Sequence, residues 1–154
     1  MKYIPCFPRA RLAYSLCLLM LYFSQIAIAQ SPSDREEAKK TMEAYLDAFY
    51  FGDSLKIVNY FSPAVVKYGY YKPKDSADYK GFPMTYQHML NYTRSVREGR
   101  EITPVNAVKK VELFEVQNQT ASGKVTAFWG TDYLLLAKEK GRWMIRMILW
   151  QGQE

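Results

Sequence analysis

The chain has 154 residues, 21 basic and 15 acidic side chains, and a formal net charge of +6, with one histidine and two cysteines. So few metal-ligating side chains, without a Gly-rich phosphate loop or a nucleophile motif, argue against a metal, a nucleotide or any other cofactor. The net charge is too mild to predict nucleic-acid binding, which requires a concentrated basic stripe.

The first 29 residues have the organisation of a secretory signal peptide. Lys2, Arg9 and Arg11 precede a short uncharged apolar run over 12–23, and residues 27–29 read Ala-Ile-Ala, the small-x-small pattern of a cleavage site. We therefore expect a cleaved signal peptide over 1–29 and a secreted or periplasmic protein that is not attached to a membrane. The open alternative is an uncleaved anchor.

Cleavage would leave residues 30–154 as a single domain. Without three basic residues of the leader this part has 18 basic and 15 acidic side chains, a net charge of +3. Both Cys6 and Cys17 lie in the leader, so the domain must depend on a packed core rather than on disulfides.

A long amphipathic helix opens the domain. Ser33 with Glu36 three residues later predicts its start, and Gly52 predicts its end. Apolar residues recur on one face between these points. They are Ala38, Met42, Tyr45, Leu46 and Phe49.

A second short helix is predicted from Asp53, its N-cap, to Pro63. Its expected inward residues are Leu55, Val58 and Phe61. The pattern then predicts a strand, a long polar loop and a third helix. These cover 64–71, 72–81 and 82–96 in turn.

Four successive strands are predicted in the last part of the chain, with a turn at Gly141 before the final strand. They cover 105–116, 121–130, 132–138 and 143–150. Helices first and a strand meander afterwards predict an α+β domain with three helices on one face of a curved antiparallel sheet.

The final strand is apolar on both faces. Simple alternation places Trp143, Ile145, Met147 and Leu149 on one face and Met144, Ile148 and Trp150 on the other. Both faces should therefore be covered, one by the helices and the other by a second copy of the chain in a homodimer. Arg146 interrupts the outer face and is expected either to pair with a carboxylate, such as Glu112 or Glu115, or to lie at an edge position.

Three segments resemble the nuclear transport factor 2-like superfamily, also called the SnoaL or ketosteroid isomerase fold, and within it the lumazine-binding family. They are residues 45–53 (YLDAFYFGD), residues 61–63 (FSP) and the hairpin over 132–145. The resemblance covers 33–150. It implies a cystatin-like, cone-shaped sheet wrapped by three helices around an apolar pocket.

The resemblance also allows the enzyme residues of the superfamily to be checked. Tyr45 stands seven residues before Gly52, where ketosteroid isomerases have a tyrosine that donates to the oxyanion, and Asp132 falls near their neutral aspartic acid. The general-base position corresponds to Gly69, which cannot take a proton. The family's isomerase activity is therefore not expected.

We predict a pocket that binds a small apolar or aromatic molecule without catalysis. Its expected residues are Tyr45, Phe49, Tyr68, His88, Asp132 and Trp143. Tyr45 could instead be an ordinary core residue, and Asp132 and His88 could face solvent. Two other functions stay open: an isomerase- or dehydratase-type enzyme that uses Tyr45, Asp132 and His88, or a dimeric interaction module with a vestigial pocket.

The leader yields a first test. N-terminal sequencing of the protein from its native host should begin at Gln30, because the small residues at 27 and 29 define the cleavage site. Recovery of the intact chain from Met1 in the membrane fraction would contradict the prediction and indicate an anchor.

Overall fold

The structure is a computed structural model that describes residues 32–153, so the predicted signal peptide at 1–29 lies outside the described residues. Three helices and six strands form one α+β domain, which confirms the predicted fold class. The helices are α1 (Pro32–Phe51), α2 (Ser54–Tyr60) and α3 (Tyr86–Arg97). The strands are β1 (Phe61–Tyr71), β2 (Lys80–Met84), β3 (Lys110–Val116), β4 (Thr120–Ala127), β5 (Gly130–Glu139) and β6 (Arg142–Gly152). No helix within 32–153 is long and apolar enough to span a membrane.

Helix α1 provides the largest helical contribution to the core. All five residues of its predicted apolar face are buried. It ends at Gly52, whose φ of +67° is the left-handed geometry that glycine adopts readily. A Cβ at Gly52 would lie 2.5 Å from the backbone nitrogen of Arg97, so the ends of α1 and α3 approach closely there.

Helix α2 begins as predicted but faces the core differently. The Asp53 side chain accepts a hydrogen bond from the backbone N–H of Leu55 at 3.1 Å. The buried residue of the helix is Ile57, whereas Leu55 and Val58 are exposed, so the predicted inward face is wrong for these two residues; Phe61, the third, is buried as predicted at the start of β1. A seven-residue helix has too few turns for its sequence pattern to identify one face.

The six strands form one sheet in the order β2-β1-β6-β5-β4-β3. Neighbouring strands are antiparallel except β1 and β6, the second and third strands of this order, which run parallel. Strand β2 was not predicted, because its residues were divided between a loop and a helix. Pro83 fits an edge strand, and the helix starts only at Tyr86, after its cap Thr85.

A bulge in β6 displaces the alternation of its side chains. Leu135 pairs with Met147 and the next residue, Leu136, pairs with Ile145, which leaves Arg146 as the extra residue. Such an insertion bends the strand and reverses its later faces. Simple alternation cannot anticipate it.

The predicted faces of β6 are therefore wrong beyond the bulge. Ile148 is buried on the same inner face as Trp143 and Ile145, and Trp150 follows it there, whereas Met147 and Leu149 are about half exposed on the outer face. The outer apolar surface thus contains a different set of residues from the one predicted.

The partner predicted for Arg146 is also wrong. Its guanidinium donates to the Ser62 hydroxyl at 2.7 Å and to the Glu139 carboxylate at 3.2 Å. Glu112 instead pairs with Lys110 and Lys124 in β3 and β4. The bulge brings Arg146 to the start of β1 and the end of β5.

Candidate functional site

An apolar cavity of about 320 Å³ lies between the inner face of the sheet and helices α1 and α3. Its size is at the lower end of the range for small-molecule pockets. The wall consists of Phe49, Lys67, Phe82, Met84, Tyr92, Trp129 and Trp150. Five of these seven side chains are aromatic, so the wall of the cavity is predominantly apolar.

Aromatic contacts hold the helical side of this wall in place. The Phe49 ring of α1 lies 5.6 Å from the Tyr92 ring of α3 and 5.9 Å from the Trp129 ring, measured between centroids. Trp129 belongs to the turn between β4 and β5. The cavity is therefore bounded by side chains that already pack against one another.

Lys67 is the one charged residue in the cavity wall. It lies on the inner face of β1, and its side chain is only 6% exposed. Its Nζ donates to the Tyr45 hydroxyl at 2.6 Å, lies 3.5 Å from Oδ1 of Asp132 and sits 4.6 Å from the centre of the Phe49 ring. An ammonium group enclosed among aromatic rings requires such partners.

Asp132 is fully buried beneath the cavity, on the inner face of β5. The Tyr45 hydroxyl donates to its Oδ1 at 2.6 Å, and the Trp129 indole N–H donates to its Oδ2 at 2.7 Å. With Lys67 nearby, both carboxylate oxygens have partners. The four side chains form one connected polar group, here named the Lys67 network: Tyr45, Lys67, Trp129 and Asp132.

Burial is the main cause of the pKa shifts of Tyr45 and Lys67. It raises the pKa of the Tyr45 hydroxyl well above its ordinary value, and the Asp132 charge adds to the effect. Tyr45 therefore stays protonated at neutral pH and acts as a donor. Burial lowers the pKa of Lys67, and the attraction of Asp132 partly opposes that shift.

The structure brings together three of the six predicted site residues. Phe49 lines the cavity, while Tyr45 and Asp132 lie directly beneath it in the Lys67 network. The resemblance implied that these two groups lie near each other, but as donors to an oxyanion; in the structure they hydrogen-bond to each other. Whether they serve a ligand stays a prediction.

The other three predicted residues lie elsewhere. Tyr68 is on the outer face of β1 and 38% exposed, because Lys67 takes the inward position next to it. His88 is exposed on α3. The Trp143 indole donates to the Asp34 carboxylate at 3.1 Å and lines a separate groove of about 400 Å³ with polar residues.

Sequence reasoning missed Lys67, Trp129 and Trp150. A lysine in a strand is normally assigned to solvent, since burial of its charge is costly. The one available signal is the alternation of β1, where Lys67 shares a face with Val65 and Gly69. Trp150 was assigned to the outer face because the bulge at Arg146 is not visible in the pattern.

Gly69, which corresponds to the general-base position of ketosteroid isomerases, has a structural role. A Cβ there would lie 2.1 Å from Nε1 of Trp150, so the indole occupies the space of a side chain at residue 69. Within 32–153 this indole nitrogen is buried without a hydrogen-bond partner. In the same residues no three acidic, histidine or cysteine side chains cluster as metal ligands.

The curved sheet, the three helices and the cavity between them define a nuclear transport factor 2-like protein. Similar solved structures include a nuclear transport factor 2-like protein of unknown function from Silicibacter pomeroyi (TM-score 0.65, 14% identity, 80% of this chain and 99% of that one) and one from Shewanella baltica (0.63, 17%, 82% and 98%). A cystatin-like domain from Nostoc punctiforme is also similar (0.60, 12%, 81% and 80%). At these identities the likeness shows the fold alone.

The chain belongs to the family described as "Putative lumazine-binding", which it matches over residues 33–151. The resemblance found in the sequence is therefore confirmed. None of the curated proteins compared with the chain matches it.

The Lys67 network makes a prediction about stability. Tyr45→Phe should lower the free energy of unfolding by about 1–3 kcal/mol, because Lys67 and Asp132 would lose a shared buried partner. Urea denaturation measures the change. Tyr133→Phe is the matched control, since Tyr133 is half exposed on the outer face of β5. Equal stability of the two variants would contradict a structural role for the Tyr45 hydroxyl.

Proposed function

We propose that the domain is an exported, non-catalytic protein that binds a small apolar or aromatic molecule in the cavity lined by Phe49 and Trp150. The observation that carries the proposal is an aromatic cavity with a single charged group, Lys67, held in place by its own partners. Family membership supports ligand binding in general. Export is supported by the signal-peptide pattern of residues 1–29.

The absence of catalysis is supported by the chemistry beneath the cavity. The Tyr45 hydroxyl donates a hydrogen bond to Asp132. An isomerase would direct both groups at an oxyanion, but in this chain they hydrogen-bond to each other. Trp150 occupies the space above Gly69. His88, the remaining candidate base, is exposed and does not line the cavity. The enzyme alternative therefore has less support than binding.

A thermal-shift screen of small cyclic metabolites tests this proposal. Ligands should raise the unfolding temperature of the wild type, because binding to the native state alone stabilises it. They should lose this effect in Met84→Trp, which places a larger side chain in the cavity wall. Leu55→Trp is the control, since Leu55 is exposed on α2, outside the cavity wall and the sheet.

Two results would contradict ligand binding in this cavity. Ligands that stabilise Met84→Trp as much as the wild type would have to bind elsewhere. If no compound of a broad panel raised the unfolding temperature, the result would favour the alternative of an interaction module with a vestigial pocket.

A second observation favours assembly through the sheet. Across β1, β6 and β5, Met147 lies between Val66 and Leu135, and Leu149 lies between Tyr68 and Tyr133. All six side chains are 38–56% exposed. We define them as the outer apolar patch and propose that it pairs with the same patch of a second copy in a two-fold homodimer, since contiguous exposed apolar surface marks an interface.

Sedimentation velocity at micromolar concentration tests the dimer. Leu149→Glu should give a folded monomer, because it places a charge in the outer apolar patch, whereas Leu55→Glu on the exposed face of α2 should leave the dimer intact. Ile148→Glu is unsuitable, since Ile148 faces the core. A wild type that stays monomeric at high concentration would overturn the proposal.

A further inference from the structure

Lys67 offers a hydrogen-bond donor to the cavity. An ammonium group has three N–H donors. Within the described residues its close polar contacts are the Tyr45 hydroxyl and, at 3.5 Å, the Asp132 carboxylate. Lys67 lines the cavity itself, while Tyr45 and Asp132 lie behind it. Of Lys67, Tyr45 and Asp132, only Lys67 can therefore contact a molecule bound in the cavity directly.

Tyr45 is not available for the same task. Its single hydroxyl proton is donated to Asp132 at 2.6 Å, and its oxygen accepts from Lys67. The Trp129 N–H is likewise donated to Asp132. The donor that faces the cavity in this chain is thus the lysine rather than the tyrosine.

The charges of the network restrict the ligand. Lys67 forms an ion pair with Asp132, which lies behind the cavity wall. Lys67 is the one charged residue among those that line the cavity. A carboxylate ligand would add a second negative charge beside Asp132 in a largely apolar space, which is costly. A pure hydrocarbon would leave the lysine donor without a partner. An uncharged molecule with one acceptor oxygen avoids both costs.

We propose that the cavity selects uncharged, mainly apolar cyclic molecules whose carbonyl oxygen accepts a hydrogen bond from Nζ of Lys67. This inference rests on the proposed function and specifies its ligand class. The aromatic wall of Phe49, Tyr92 and Trp150 contacts the ring system, and Lys67 orients it through the carbonyl. Selectivity then comes from the charged Lys67 donor in a mainly apolar site.

Three bicyclic compounds of the same ring size test the proposal by titration calorimetry on the wild-type domain. They are tetralin, which has no acceptor, 1-tetralone, which has a neutral carbonyl, and 1,2,3,4-tetrahydro-1-naphthoate, which has a carboxylate. We expect 1-tetralone to bind at least about tenfold more tightly than tetralin, because a hydrogen bond to a charged donor is gained. The carboxylate should bind more weakly than 1-tetralone.

Variants then test whether Lys67 is the donor. In Lys67→Met the affinity ratio of 1-tetralone to tetralin should fall to about one, while Lys72→Met, an exposed lysine of the loop after β1, should keep the wild-type ratio. If Lys67→Met fails to fold, the wild-type comparison of the three compounds still tests the preference for a neutral carbonyl, because it needs no variant.

Each contrary result has a distinct meaning. Equal affinity for tetralin and 1-tetralone would overturn the carbonyl assignment and leave the proposed function intact. Tightest binding of the carboxylate would overturn the neutral ligand class. A wild-type ratio in Lys67→Met would overturn the role of Lys67. No binding by any of the three would overturn this inference, and the Met84→Trp screen would decide separately whether the proposed function also fails.

Discussion

The buried ion pair of Lys67 and Asp132 is the constraint on which the rest of the structure depends. Each charge would be very costly alone in an aromatic core. The pair persists because Tyr45 bridges it from α1 and Trp129 donates from the turn before β5. One polar group thus connects helix α1, strands β1 and β5 and a turn, and it holds α1 in place on the sheet.

That constraint also explains why the cavity is chemically simple. The polar atoms beneath the cavity hydrogen-bond to one another. The wall of the cavity is therefore mostly aromatic, and Lys67 is its charged residue. Catalysis by proton transfer needs a base aimed at the substrate. In this chain the corresponding strand position is Gly69, and the Trp150 indole fills the space instead. These features support the proposed role in binding.

The bulge at Arg146 links the inner and outer faces of the sheet. It places Ile148 and Trp150 against the helices and leaves Met147 and Leu149 on the outer apolar patch. The cavity wall and the proposed dimer surface therefore depend on the same inserted residue. Arg146 is stabilised at this point by Ser62 and Glu139, which lie on the two neighbouring strands.

The sequence by itself determined the fold class, the family and the buried face of α1. The fold class and the buried face of α1 follow from local periodicity. The family follows from the resemblance of the segments around Tyr45 and Asp132. The resemblance to ketosteroid isomerases also placed Gly69 at the position of their general base.

Only the tertiary structure decided which residues form the cavity. In β1, alternation separates Lys67 from Tyr68 but does not say which one faces inward, and the cost of burying a lysine favours the wrong choice. The choice is reversed by Asp132 and Tyr45, which are distant in sequence and stabilise the lysine only once α1, β1 and β5 have assembled. The faces of β6 likewise depend on a bulge that becomes defined when β5 and β6 pair, because an extra residue has no signature in the alternation of one strand.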